Sequence, residues 1–105
     1  MASKASEHVK NMQIAIANNI NYSTVLKNYD SGRYLYTLTA IHDINNGMYF
    51  VVNQHDNKTN IENSLNITEY DMNGCIYNTS IFRVPDNLVK NLLQFVRAVK
   101  LLRYN

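Results

Sequence analysis

The chain has 105 residues, of which 46% are hydrophobic and 17% charged, and its formal net charge is +2. This length gives one domain that buries about two-thirds of its unfolded surface, and a composition with one Pro and three Gly argues against disorder. The mild positive charge permits nucleic-acid binding without requiring it, and the single cysteine, Cys75, excludes an internal disulfide and a multi-cysteine metal centre.

Residues 1–5 read as a disordered tail ahead of a first helix over about 6–20. Ser6 is placed to cap it, Glu7 suits the positive end of the dipole, and Val9, Met12, Ile16 and Ile20 repeat at helical spacing. Residues 21–33 read as a loop, because Asn28-Tyr-Asp-Ser-Gly32 is rich in turn formers. From Tyr34 the period becomes two, with Tyr34, Tyr36, Leu38 and Ala40 on one face and Leu35, Thr37, Thr39 and Ile41 on the other. Asn45-Asn46-Gly47 predicts a tight turn, since Asn and Gly tolerate positive φ, and a second strand follows from Met48 to about His55. Asp56–Asn63 is polar loop. A third strand is expected over Leu65–Met72, a turn at Asn73-Gly74, and a fourth strand over Cys75–Val84.

The final helix opens at Pro85-Asp86, where a proline lacking N–H and an acidic residue both suit the first turn. Leu88, Leu92, Phe95, Val96, Val99 and Leu102 form one stripe, widened by Val89 and Leu93, while Lys90, Arg97, Lys100 and Arg103 lie mostly on the remaining face. A stripe this wide exceeds what one sheet face usually requires. The six stripe residues are therefore expected to form a helix-mediated homodimer interface. The competing reading is that the N-terminal helix covers the excess within one subunit.

No catalytic constellation emerges. His8, His42 and His55 are scattered. The last two flank the first hairpin but lack a third metal ligand, so no metal and no cofactor is expected. Cys75 reads as an inert, half-buried thiol. Asp43, Asp56, Glu62, Glu69 and Asp71 show no paired spacing for acid–base work, and three isolated glycines make no phosphate loop. The protein reads as a non-enzyme. The chain begins without a signal-peptide core and has no apolar run of membrane-span length, so an intracellular setting without membrane contact is expected. Its 17 asparagines fit the coding bias of an AT-rich genome, for instance a viral one.

Aromatic residues on predicted strands, with cations near their ends, are the ingredients of a surface that stacks bases and holds phosphates. Tyr36, Tyr49, Tyr70 and Tyr77 are the candidate stacking residues, and Lys27, Arg33, Lys58 and Arg83 the candidate phosphate contacts. The opposing reading is that tyrosine is simply a favoured strand residue and half of these rings face the core.

The stretch Leu65-Asn-Ile-Thr-Glu69-Tyr70-Asp-Met72-Asn-Gly74, then Ser80-Ile-Phe-Arg-Val-Pro85-Asp86, then Leu88–Val96, resembles the single-strand-binding transcription cofactor family known as positive cofactor four. That family has a strand ending in Glu-Tyr, a polar turn with Gly, and a strand meeting Pro-acidic and a long helix. The related Whirly and purine-rich-element-binding domains share the order of strands then helix. The resemblance covers about a third of the chain and implies homodimers joined by their terminal helices, with single-stranded or melted DNA bound across the sheets. The sequence departs from the family at Asp71, where an aromatic is usual, and at Gln54-His-Asp-Asn-Lys58, where a basic segment is usual. It adds the N-terminal helix and lacks a Ser/Lys-rich tail.

The resulting expectation is a single α+β domain: an N-terminal helix, a four-stranded antiparallel sheet of two hairpins, and a long C-terminal helix pairing two subunits. Its expected role is binding single-stranded DNA or RNA in transcription or replication. The alternative is a small adaptor or inhibitor that binds a protein partner through the same surfaces.

Overall fold

Alternating strand residues between two amphipathic helices produce a two-layer α+β domain. The computed structural model describes residues 4–71, 76 and 81–103, and the side chains of 7–71, 76 and 81–100. The elements are α1 (Lys4–Asn18), β1 (Tyr22–Asp30), β2 (Tyr34–Asp43), β3 (Gly47–Asp56), β4 (Glu62–Ile67) and α2 (Asp86–Arg103). The strands form one antiparallel meander in the order β1-β2-β3-β4. An N-terminal helix, four antiparallel strands and a C-terminal helix are thus all present, but not every strand is one the sequence pattern marks.

β1 lies where a loop is expected. Its residues do alternate, but Val25 pairs with Thr39 while Lys27 pairs with Leu38, so Leu26 is an extra residue in a β-bulge. A bulge breaks the period of two and hides a strand from pattern reading. At the other end, β4 starts at Glu62 and stops at Ile67, before the expected Met72. Tyr70 then makes an isolated antiparallel bridge to Ile76, and residues 81–85 carry no strand. The Asn73-Gly74 turn and Cys75 lie outside the described residues.

The helix ends have identifiable causes. α1 begins at Lys4, ahead of Ser6, and closes at Asn18. Asn19 sits in the left-handed region at φ 50°, and the Asn19 and Ile20 N–H groups donate to Ile16 and Ala15 carbonyls at 3.3 and 3.0 Å. This is a Schellman closure with Asn in the place usually held by Gly. At the start of α2 the Pro85 carbonyl accepts from Val89 N–H at 3.2 Å, so Pro85 stands just before the first helical residue. The turn between β2 and β3 is the expected one: Gly47 takes φ 75°, and the Asp43 carboxylate accepts from the Asn45 and Asn46 N–H groups at 2.8 and 3.1 Å.

Both helices lie on one face of the sheet. Tyr36, Leu38 and Ala40 of β2, Phe50 and Val52 of β3, and Leu65 and Ile67 of β4 pack with Val9 and Met12 of α1 and the stripe of α2. Leu88, Leu92, Phe95, Val96 and Val99 are at most 6% exposed within the single subunit. This corrects the expected helix-mediated interface: those five side chains are core, and the side chain of Leu102 lies outside the described residues. The surplus disappears because α1 and β1 flank α2 while the sheet lies beneath it. Gln13 Nε2 of α1 donates to the Val99 carbonyl of α2 at 3.1 Å, and Leu26 at the bulge packs against the same cluster. Full burial of each such side chain is worth about 1.5–3 kcal/mol, which locates most of the stability here.

Candidate functional site

Among the described residues, no element packs over the opposite face of the sheet, called the bare face below. Its residues follow from the pairing register and fall into four rows across the strands. They are Ser23–Ile41–Tyr49, Val25–Thr39–Val51–Asn66, Asn28–Thr37–Asn53–Ser64, and Asp30–Leu35–His55–Glu62. Asp43 ends the outward side of β2. Val25 and Leu35 are 47% and 40% exposed, and Ile41, Tyr49 and Val51 are half-buried. Val25, Ile41, Tyr49 and Val51 therefore cluster toward the β2–β3 turn, polar residues occupy the middle, Leu35 stands alone at the far end, and carboxylates lie at the margins. The strands put no Lys or Arg on this face, because the one cationic strand residue, Lys27, pairs with inward-facing Leu38. His55 is held across the strands by Glu62, with Nδ1 3.2 Å from Oε1.

The seven expected nucleic-acid contacts that lie among the described residues are not brought onto one surface. Tyr36 points into the helix-covered side and is 6% exposed, which corrects its assignment as a stacking residue. Its ring sits 6.0–6.1 Å from those of Tyr29, Tyr34 and Phe82, and its hydroxyl accepts from Gln54 Nε2 at 3.3 Å. Tyr70 packs edge-on against Phe50 at 5.9 Å, and burial pushes its hydroxyl pKa up. Tyr49 alone reaches the bare face, and Tyr77 lies outside the described residues.

Arg33 belongs to a clamp between turns. Its Nε and Nη2 donate to Asp56 Oδ1 and Oδ2 at 2.8 and 2.9 Å, and its guanidinium lies 5.4 Å from the Tyr34 ring centre. Asp56 also accepts from Lys58 N–H at 2.9 Å, while Asn57 Nδ2 donates to the Gly32 carbonyl at 3.0 Å. The Arg33 hydrogen bonds hold the Asp56 carboxyl well below the usual carboxylate range and raise Arg33 itself. Lys58 is exposed in the β3–β4 turn, Lys27 is half-buried at the bulge, and Arg83 is exposed ahead of α2.

His42 and His55 do not approach each other. His42 faces the core near the β2–β3 turn, with Nδ1 2.7 Å from the Ile20 carbonyl, and His55 stands at the opposite end of the pair on the bare face. His8 meets Thr24 Oγ1 through Nδ1, fastening α1 to β1. Beside it a groove of about 220 Å³ runs between α1, α2 and β1, bordered by Leu26, Asn91, Gln94 and Phe95. That is below the usual range for a small-molecule site. Among the described residues no group of three metal-ligating side chains occurs, and no helix is long and apolar enough to cross a membrane.

Val25, Asp30, Thr39, Ile41, Val51 and Glu62 carry no sequence signal of a contact role. The pattern did mark part of the face, since Leu35, Thr37, Thr39 and Ile41 alternate against the core residues of β2. What it lacked was β1, without which the face has no left margin. Comparison with protein-family models, with curated proteins and with solved structures gives no match to this chain.

Proposed function

We propose that the protein is a non-enzymatic binding module that docks a protein partner on the bare face of its sheet. One observation carries this reading: a four-stranded face with exposed Val25 and Leu35, half-exposed Ile41, Tyr49 and Val51, and no strand cation. The patch of Val25, Ile41, Tyr49 and Val51, bordered by the polar Asn28–Thr37–Asn53–Ser64 row with Leu35 beyond it, is the kind of apolar surface rimmed by polar groups that marks protein contact sites. A phosphate backbone needs the opposite, a positive surface that tracks it. The exposed cations instead include Lys90, Arg97 and Lys100, on the solvent side of α2.

Two measurements test this together. A labelled single-stranded oligonucleotide is titrated by fluorescence anisotropy at low and moderate salt, and a photo-reactive side chain is placed at Val51 or, as control, at Gln94 on α2. The expected results are no saturable oligonucleotide binding and protein adducts from position 51 that are absent from position 94. Oligonucleotide affinity that falls steeply as salt rises would restore the nucleic-acid reading. Equal labelling at both positions, or none at either, would reject face docking.

A further inference from the structure

Resting on that docking reading, we infer that the face takes a cationic amphipathic helix of a partner protein. Three observations lead there. The first is charge: Asp30 on β1, Glu62 on β4 and Asp43 at the end of β2 place carboxylates around the margin of the face, and no strand Lys or Arg offsets them. The whole chain is nevertheless +2, so the acidic rim is local and net charge alone would repel a cation. The complementary surface is an apolar stripe with Lys or Arg along both sides.

The second observation is shape. The other face of this same sheet already beds two helices, so its twist suits helix packing. Along β2 the outward residues from Leu35 to Ile41 span about 20 Å at a strand's rise per residue, which matches a helix of about 13 residues. Such a helix lying over the β2–β3 seam meets Ile41 and Tyr49, then Thr39 and Val51, then the polar pair Thr37 and Asn53, then Leu35 and His55. Its flanks reach Asp30 on one side and Glu62 on the other.

The third observation concerns the competing occupants. An added strand would have to pair along β1 or β4. The bulge at Leu26 twists the β1 edge away from pairing, and β4 is six residues long. A second copy packed face to face would set acidic rim against acidic rim.

The test uses the full chain with two synthetic helices of about 15 residues, one of Leu and Lys and one of Leu and Glu at identical spacing. Binding is read by anisotropy and located by amide chemical shifts. The Leu/Lys helix is expected to bind and to shift β2 and β3 amides, while the Leu/Glu helix does not bind. Glu62→Lys is expected to weaken binding about two- to fivefold as a rim charge, and Val25→Lys by about the same factor as a contact on the β1 flank of the helix. Val25 is already 47% exposed, so the variant is expected to fold, as a thermal melt would verify. Equal binding of both helices, shifts confined to α1 and α2, or insensitivity to both variants would overturn the inference. So would light scattering that shows a dimer dissociated by Val25→Lys. If position 51 still labels a protein while the Leu/Lys helix fails to bind, the helix inference falls and face docking stands; loss of both signals sinks both.

Discussion

Tyr36 and Arg33 show how a side chain's neighbours decide its task. As residue types they suit base stacking and phosphate binding, yet one is held in an aromatic cluster and the other in a two-pronged ion pair. Replacing Tyr36 by Phe strands the buried Gln54 amide, so chemical denaturation should show a loss of about 1–3 kcal/mol, with no change in oligonucleotide behaviour. Asp56 gives a pH signature. Its folded-state pKa lies below the unfolded value of about 3.9, so the stabilisation is complete above that value and is lost as pH falls through the folded pKa. Thermal melts of the parent should therefore decline on acidification below about pH 4, and the Asp56→Asn variant should show a shallower decline. Asn19 holds a left-handed backbone at φ 50°, and Asn19→Ala should cost about 1 kcal/mol in the same denaturation assay.

At the level of elements, α2 separates two readings by experiment. Val96 is fully buried within its own subunit, so Val96→Asp should abolish cooperative unfolding and the near-ultraviolet signal. Had the stripe been an intersubunit seam, the same change would leave a folded monomer. The helices and the β2–β3 hairpin are legible in the sequence, because unbroken periods of 3.6 and 2 and an Asn-Asn-Gly turn report them directly. β1 is not, since one bulged residue resets its alternation just before Asn28-Tyr-Asp-Ser-Gly32, which reads as a turn in any context. The β4 region fails for a different reason. Leu65–Tyr70 alternates beyond Ile67, and alternation cannot say where pairing with β3 stops. The candidate face was legible only in part, for burial rather than residue type decides which tyrosines are wet.

For the molecule as a whole, the two faces of one sheet have opposite fates, one roofed by helices and the other open, and the charges are divided accordingly. Carboxylates rim the open side, while Lys90, Arg97 and Lys100 project from the solvent side of α2. This division predicts that light scattering at micromolar concentration finds a particle whose mass does not change when Lys90 or Lys100 is replaced by Glu, since both side chains are exposed on the subunit. The Gln13–Val99 contact has a temporal consequence as well. The sheet is complete once residue 67 has been synthesised, but the roof over Leu38, Phe50, Val52 and Ile67 needs the last helix. A nascent chain must therefore carry a greasy sheet roofed by α1 alone until residue 99 has left the ribosome, the interval in which a chaperone would find it.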